Sequence, residues 1–356
     1  MTKESIGARV PKTYGQKTLI LSNKLGLNSK ELAIKKELNF IVIPLARQPT
    51  QNEWEEMQIQ VPDMQLATAS FEEKRPRKKT LAEILSNELP KTLLDKLPRA
   101  LDSIGDIAIV EIPKELQSYK SLIGNTILKT QKNVKTVLSK SGAIDGTYRL
   151  RQFEIIAGEH KTTTFHKEYG CQFFADIAKA YFSPRLSHEH ERVASLVKKG
   201  ETVVDLFAGI GPFSVLIAKN HIDATVYAID INPDAIEFLK RNTRLNRVEN
   251  RVFPILGDAR QIVDRKLVGV ADRVIMNLPK KAAEFVDVAC KTIKPSGGIV
   301  HYYGFIRLPD SMESTKKKLA EMVANSGRTI DKFLTAKTVR ETAPFEWQVV
   351  FDAKIL

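Results

Sequence analysis

The stretch VVDLFAGIGPFSVLIAK, residues 203–219, decides the fold of this chain. Its apolar start, which ends at Asp205, predicts a buried strand, and its second half predicts a helix. Gly209 and Gly211 lie between the two elements, where glycines let a ligand approach the backbone closely. Ligands of open α/β sheets gather at the carboxyl ends of the strands, so the sequence predicts a ligand site at this turn.

The turn departs from the common phosphate-binding loops. Ser214 stands where the dinucleotide fingerprint has its third glycine, Pro212 directly follows Gly211, and the lysine of a P-loop is missing. A pyrophosphate ligand is therefore disfavoured. The alternative for a lone glycine-rich turn is tight packing without any ligand.

Polar residues also end the strands that follow. Asp230 ends VYAID, Asp258 ends VFPILGD and Asn277 ends VIMN. Asp230 can accept both hydroxyls of a ribose, and Asp258 can accept a hydrogen bond from the amine of an adenine. Each residue alone could cap a helix, but together with Asp205 they end four successive strands, which indicates one shared ligand. A nucleoside with a cationic sulfonium, S-adenosylmethionine, fits these oxygens best.

The pattern of apolar runs predicts the fold class and the domains. From residue 190 onward, helical spacers separate short apolar strands, which is typical of a parallel sheet covered on both faces. Earlier in the chain, KTLILSNKLGL and TLAEILSNEL predict helices, while NFIVIPLA, IAIVEI, YRLRQFEII and TTTFHKE predict strands. We expect a small α/β module (1–66), a basic linker (67–79), an α+β region (80–180) and a cofactor-binding domain (181–356) on which that region packs.

The charge balance indicates a polyanionic partner. Lys and Arg number 55 against 42 Asp and Glu, which gives a formal charge of +13. RNA, DNA or anionic lipid would each satisfy such a surplus, and the alternative is a solubilising surface. The linker holds five cations that form either a strap for phosphates or a plain polar connector: Lys74, Arg75, Arg77, Lys78 and Lys79.

Other features exclude whole classes of protein. Two cysteines, Cys171 and Cys290, are too few for a disulfide framework or a cysteine-based zinc site. The histidines show no metal-ligand spacing with cysteine or a carboxylate, so we expect no metal. The N-terminus lacks the apolar core of a signal peptide, and no run reaches about 18 apolar residues. We therefore expect a soluble, cytoplasmic monomer without a membrane contact.

Several longer strings resemble a known family. The D-x-F-x-G-x-G-P loop, AIDINPDAIEFLKRN, VIMNLPK and YRLRQFEIIAGEHKTTTFHKEYGCQFFADIAKAYFSPRLSHE resemble the archaeal and eukaryotic tRNA (guanine-N1)-methyltransferases, which modify guanosine 37 beside the anticodon. The resemblance is strong over residues 148–303 and looser at both ends. It implies a Rossmann-like class I methyltransferase domain with a mostly parallel seven-stranded sheet, S-adenosylmethionine as cofactor and tRNA as partner. Regions 1–66 and 80–180 would then recognise RNA.

The resemblance also implies roles in catalysis. Guanine N1 carries a proton and is a poor nucleophile until a base removes that proton, and Glu189 is the predicted base. Arg149 would face guanine O6, where negative charge builds, Tyr181 would contact the flipped base, and Asn277 would orient its edge. The alternatives are an acid that favours the helix dipole for Glu189, an exposed strand residue for Arg149 and core packing for Tyr181.

The same pattern places His190 beside the cofactor. The full set of predicted cofactor contacts is His190, Asp205, Phe207, Gly209, Gly211, Asp230, Ile231, Asp258, Ala259 and Asn277. His188 departs from the family, because relatives often carry a small or hydroxyl residue there, and this difference alters the surroundings expected for the base.

Two other functions remain open from the sequence. The nearer one shares the fold, the cofactor and the tRNA position but transfers an aminocarboxypropyl group in wybutosine synthesis, or combines a second activity with methylation. The other is a noncatalytic RNA-binding protein that keeps the fold without the chemistry. The presence of Arg149, Glu189, Asp230 and Asn277 disfavours the latter.

Overall fold

The structure is a computed structural model that describes residues 2–74, 79–142, 146, 148 and 150–356. The chain divides into two compact units, Met1–Thr80 and Leu81–Leu356. Three cations of the predicted linker, Arg75, Arg77 and Lys78, lie outside the described residues, and so does the predicted active-site residue Arg149.

The first unit is a four-stranded antiparallel sheet with two helices. Its elements are β1 (Thr2–Pro11), α1 (Gly15–Lys24), β2 (Lys35–Lys36), β3 (Phe40–Pro44), α2 (Gln51–Gln60) and β4 (Gln65–Glu72). The strand order is β2-β3-β1-β4, and Val10, Ile43 and Met57 contribute to the core. The predicted boundary at residue 66 falls within β4, because pairing with β1 continues to Glu72.

The second unit begins with another four-stranded sheet and a hairpin. The elements are α3 (Leu81–Ile84), α4 (Lys91–Leu94), β5 (Asp102–Ile104), β6 (Ile107–Val110), α5 (Lys120–Thr130), β7 (Thr136–Lys140), β8 (Phe153–Gly158), β9 (Thr163–Glu168) and β10 (Cys171–Asp176). The sheet order is β5-β6-β7-β8, with β6 and β7 parallel and the other pairs antiparallel. The helix predicted over TLAEILSNEL is short, because α3 ends at Ile84 and a 3-10 turn, Leu85–Asn87, follows.

A seven-stranded sheet with helices on both faces completes the second unit. Its elements are α6 (Ser187–Leu196), β11 (Thr202–Asp205), α7 (Pro212–Asn220), β12 (Thr225–Asp230), α8 (Pro233–Leu245), β13 (Val252–Leu256), α9 (Ala259–Ile262), β14 (Arg273–Met276), α10 (Val286–Thr292), β15 (Gly298–Arg307), α11 (Met312–Asn325), β16 (Ile330–Ala343) and β17 (Glu346–Ile355). The order is β13-β12-β11-β14-β15-β17-β16, and β17 runs in the direction opposite to the other six strands. The structure confirms the predicted Rossmann-like class I fold.

Alternation along the strands builds a core on each face of this sheet. Val203 joins one apolar cluster and its neighbour Val204 joins the other, because successive strand residues point to opposite faces. The first cluster also contains Ile104, Leu138 and Phe173. The elements before α6 therefore share a core with the large sheet.

The strand order sets the place of a ligand site. The chain passes from β11 outward through β12 to β13, and then returns to the other side of β11 to form β14 and β15. A crevice opens where the direction of winding reverses, at the carboxyl ends of β11, β12 and β14. The longest helix of the described residues, α11, has 14 residues, so none of these helices could cross a bilayer.

Candidate active site

A cavity of about 210 Å³ lies at this crevice. Seven of the predicted cofactor contacts line it, namely Phe207, Gly209, Asp230, Ile231, Asp258, Ala259 and Asn277. Tyr181 lines it as well. The turns that follow the strand ends therefore bring together residues that are up to 70 positions apart in the chain, from Phe207 to Asn277.

The carboxylate of Asp230 is held in place by the backbone. Its Oδ2 accepts a hydrogen bond from the amide of Gly209 at 2.7 Å, and its Oδ1 accepts one from the amide of Asn232 at 2.9 Å. Burial raises the pKa of Asp230, and the backbone donors oppose that rise. A carboxylate has about four acceptor sites, so both oxygens can still accept a ligand hydroxyl.

Asp258 and Asn277 line the same cavity in different ways. Asp258 caps α9 by accepting a hydrogen bond from the amide of Arg260 at 2.8 Å, so it is a helix cap and also part of the cavity wall. Within the described residues, the buried Oδ1 of Asn277 has no hydrogen-bond partner. A buried polar atom without a partner costs about 1–3 kcal/mol, which a ligand donor would recover.

Three predicted cofactor contacts do not line the cavity. The carboxyl of Asp205 is fully buried beneath the turn, where its Oδ2 accepts a hydrogen bond from the Ser214 hydroxyl at 2.9 Å. Burial raises the pKa of Asp205 to about 7. Gly211 has a φ of +89° and directly precedes α7, where it packs against Leu239, so this glycine serves packing, the alternative that the sequence left open.

His190 is the third of these residues, and its side chain lies in the core instead of lining the cavity. Its ring is 2% exposed, and its Nδ1 lies 2.8 Å from Oε2 of Glu168. The other oxygen of Glu168 lies 3.2 Å from Nε2 of His166. Burial alone would raise the pKa of Glu168, but the two histidines outweigh it and lower that pKa. His190 therefore belongs to a buried polar cluster, because α6 turns this side chain inward.

A second cavity, of about 520 Å³, adjoins the first. Tyr181 lines both, and the loop after β14 spans them, with Asn277 in the first and Lys280 in the second. Among the described residues, five basic side chains line the second cavity, namely Lys140, Arg151, Arg185, Lys280 and Arg340. Its acidic residues include Asp102, which forms a bidentate ion pair with Arg185. The cations make this cavity suited to a nucleotide.

The predicted base Glu189 lines neither cavity and is 4% exposed. Its Oε2 accepts hydrogen bonds from the Tyr303 hydroxyl at 2.9 Å and from Nε of Arg192 at 2.8 Å. Its Oε1 lies 2.8 Å from Nζ of Lys337. Burial alone would raise the pKa of Glu189, but Lys337, Arg192 and Tyr303 lower it below its ordinary value. The carboxyl is therefore ionised, as a base must be.

The sheet register places Glu189 next to the second cavity. Its partners Tyr303 and Lys337 lie in one row across β15, β17 and β16. Phe305 and Arg340 lie about two residues farther along their strands and line the second cavity. Two residues of a strand span about 7 Å and point to the same face. Glu189 thus lies one row behind the lining of that cavity.

Sequence reasoning missed several residues that line the first cavity. Tyr148, Arg260 and Phe285 are among them, and the guanidinium of Arg260 stacks on the ring of Phe285 at 3.8 Å. No strand-end pattern marks these positions, since they reach the cavity from a loop, a short helix and a 3-10 helix. Within the ranges that the structure describes, no cluster of three metal-ligating side chains occurs.

Comparison with known proteins gives the family. Residues 164–330 match the TRM5/TYW2 methyltransferase domain, and residues 81–162 match the TYW2 N-terminal domain. The tRNA (guanine(37)-N(1))-methyltransferase Trm5b of Pyrococcus abyssi is 38% identical over 351 residues, which make up 99% of this chain and 99% of that protein.

Solved structures agree with this similarity. A complex of aTrm5 and tRNALeu is 33% identical with a TM-score of 0.68, and the match covers 99% of this chain and 100% of that chain. Trm5 of Methanocaldococcus jannaschii in complex with adenosine is 32% identical with a TM-score of 0.64, over 98% and 99% of the two chains. These likenesses confirm the resemblance predicted from the sequence, and the chain belongs to the TRM5/TYW2 methyltransferase family.

Proposed function

We propose that this chain is a tRNA (guanine(37)-N1)-methyltransferase that uses S-adenosylmethionine. The observation that carries the proposal is the junction of two cavities at Tyr181, one with acceptors for a nucleoside and one lined by cations. The activity named for the P. abyssi relative, which this chain matches over 99% of its length, supports the same conclusion.

The first cavity fits the cofactor by its donors and acceptors. S-adenosylmethionine supplies an electrophilic methyl group on a positively charged sulfur. Asp230, oriented by the amides of Gly209 and Asn232, would accept the ribose hydroxyls, and Asp258 would accept the adenine amine. The Oδ1 of Asn277, which has no partner in the described part of the chain, offers one more acceptor at the side that meets the second cavity.

The second cavity would hold the flipped guanine. Tyr181 would contact the face of the base, and Asn277 would orient its edge toward the cofactor. Glu189, ionised and one row behind the lining, would remove the N1 proton, a step that general-base catalysis makes worth about 10²- to 10⁴-fold. The role of Arg149 at guanine O6 stays a prediction, because the residue lies outside the described part of the chain.

The charge of the chain suits tRNA as the partner. A formal charge of +13 favours a polyanion, and the cations of the second cavity would contact phosphates beside the flipped nucleotide. The first unit would recognise the tRNA, and region 80–180 would bind RNA beside the catalytic domain. The protein would act as a cytoplasmic monomer.

The test is incubation of the protein with labelled cofactor and two unmodified tRNA transcripts that differ only at position 37. We expect label in the guanosine 37 transcript and none in the other, and equal labelling would refute the site. In parallel, Glu189→Gln should keep cofactor binding and reduce single-turnover methylation by roughly 10²-fold or more. Full activity of that variant would remove Glu189 from the mechanism.

One observation favours a second candidate function. Residues 81–162 match the TYW2 N-terminal domain, which links this region to wybutosine synthesis. The mass of the product separates the two functions, because methylation adds one methyl group and the alternative adds a much larger aminocarboxypropyl group. Tight tRNA binding without any cofactor-dependent product would instead indicate a noncatalytic RNA-binding protein.

A further inference from the structure

The two oxygens of the Glu189 carboxylate have partners of different kinds. Oε2 accepts hydrogen bonds from Tyr303 and Arg192, and Oε1 is paired with Lys337. A carboxylate that takes a proton from a substrate needs one oxygen that the substrate can reach. The partners decide which oxygen that is.

The partners of Oε2 are fixed in the core. Tyr303 has no exposed surface, and burial with the nearby Glu189 carboxylate raises the pKa of Tyr303 well above its ordinary value, so its hydroxyl remains a donor. The guanidinium of Arg192 is held by Asp352, with Nη1 2.5 Å from Oδ2 and Nη2 3.3 Å from Oδ1. Tyr303 cannot leave Oε2 without opening the core, and Arg192, whose side chain is 18% exposed, is restrained by its ion pair with Asp352.

The chain of buried contacts behind Asp352 adds to this rigidity. Nη1 of Arg273 lies 2.8 Å from Nε2 of His301, and Nδ1 of His301 lies 2.6 Å from Oδ1 of Asp352. An arginine can only donate, so Nε2 of His301 must accept, and its Nδ1–H donates to Asp352. Burial lowers the pKa of His301, which agrees with this neutral ring. With the protons placed in this way, each of these contacts joins a donor to an acceptor.

The partner of Oε1 is more exposed than the partners of Oε2. Lys337 lies on β16, at the edge of the sheet, and its side chain is 44% exposed. The pairing of β16 with β17 is irregular just beyond it, between Thr338 and Arg340. A lysine on a flexible stem with a well-hydrated ammonium can exchange a carboxylate for water at little cost. Lys337 can therefore leave Oε1 while the core stays intact.

The charged and titratable groups around Glu189 come from α6 and from three strands of the large sheet. Arg192 lies on α6 itself, Tyr303 on β15, Lys337 on β16, and Asp352 on β17 acts through Arg192. The adjacent helix α7 contributes an apolar ring, since the ring centroids of Phe213 and Tyr303 are 5.9 Å apart. Two cations thus balance two carboxylates, and the loss of Lys337 would leave an excess of negative charge.

We propose that Oε1 is the oxygen with which Glu189 takes the guanine N1 proton, and that Lys337 is a positioning residue that occupies Oε1 in the free protein and is displaced by the base. This inference rests on the proposed function. The N1–H bond breaks, an Oε1–H bond forms, and the electron pair stays on N1. N1 then bonds to the methyl carbon as the carbon–sulfur bond breaks, and the neutral carboxyl returns its proton to water after the product leaves.

The pH dependence of two rate constants tests this displacement. The profile of kcat/KM reports groups of the free enzyme, and the profile of the rate constant at saturating protein reports groups of the complex. Lys337→Met removes a cation from the free enzyme and so raises the pKa of Glu189 there. We expect the acid limb of kcat/KM to move up by roughly one pH unit or more, as for a carboxylate that loses an opposite charge.

The pH profile of the rate constant at saturating protein should respond differently. In the complex, Lys337 has already left Oε1, so Lys337→Met should leave that acid limb where it is. Lys337→Arg keeps a cation at Oε1 and should restore the kcat/KM profile. Lys332→Met is the matched control, because it removes the same charge from an exposed position on the same strand and should move neither profile.

Two outcomes would overturn the inference. If Lys337→Met moves both profiles together, Lys337 stays on the carboxylate in the complex and is not displaced. If Lys337→Met moves neither profile while Glu189→Gln is inactive, Glu189 is still the base, but Lys337 does not pair with its Oε1 in the free protein. Full activity of Glu189→Gln is a separate result, which refutes the base of the proposed function itself.

Discussion

Gly211→Ala is the substitution for which the structure predicts the clearest loss of stability. Gly211 has a φ of +89°, where an L residue costs about 1–2 kcal/mol. A Cβ built there would lie 2.1 Å from Cδ1 of Leu239, a fully buried side chain that would have to move. Overpacking of a core costs about 1–3 kcal/mol, so the free energy of unfolding of the second unit should fall by about 2–5 kcal/mol.

The two tryptophans allow this loss to be measured in the second unit by itself. Trp54 lies in α2 of the first unit, and Trp347 lies on β17 of the second. In a Trp54→Phe background, the fluorescence of Trp347 therefore follows unfolding of the second unit in urea. The midpoint and slope of the transition give the difference in free energy of unfolding between the parent protein and the Gly211→Ala variant.

Gly200→Ala is the matched control for the backbone effect. Gly200 has a φ of +75°, but a Cβ there would meet no atom within 4 Å. The Gly200→Ala variant should lose about 1–2 kcal/mol of its free energy of unfolding from backbone strain alone. The additional loss in Gly211→Ala then measures the clash with Leu239. If both variants lose the same free energy within about 0.5 kcal/mol, the assignment of Gly211 to packing is wrong.

Three further predictions concern the first cavity, the buried Asp205 and the second cavity. Asp230→Asn should weaken cofactor binding by roughly 10- to 100-fold in calorimetry, because it removes a charged acceptor from the ribose, and unchanged affinity would place the ribose elsewhere. Burial raises the pKa of Asp205 to about 7, whereas the unfolded chain releases this proton near pH 4. The free energy of unfolding should therefore fall by up to about 4 kcal/mol as the pH rises from about 4 to about 7. Asp205→Asn should flatten that slope in urea titrations, and a persistent slope would assign it to another group. Lys280→Gln should lower the salt dependence of tRNA binding by about one phosphate contact, and an identical slope would exclude Lys280 from the phosphate contacts.

The fold could be predicted because its signal is local. Apolar runs and glycine turns recur in the order of a doubly wound sheet, and each run could be recognised within about ten residues. The boundary at residue 66 could not be predicted in this way, since β4 is extended to Glu72 by pairing with β1. The pairing partner lies more than 60 residues earlier in the chain, and composition carries no record of it.

The site residues also fall into two groups, those whose position at the cavity could be predicted from the sequence and those for which it could not. Asp230, Gly209 and Asn277 line the cavity because they follow strands whose ends meet at one edge of the sheet. Asp205 and His190 lie in equally suggestive motifs, yet their side chains turn into the core. A motif gives the position of a residue in the chain, while the packing of its helix or strand decides which way its side chain points.

The amino-acid sequence by itself determined the winding of the large sheet, the strand-end acceptors and the family. The tertiary structure alone decided the surroundings of Glu189, because Tyr303 and Lys337 contact it, and Asp352 holds its partner Arg192, from strands more than 100 residues away. Strand and helix periods are local properties of the chain. Which charges meet in a buried network depends on the register between distant strands, and that register exists only once the sheet has formed.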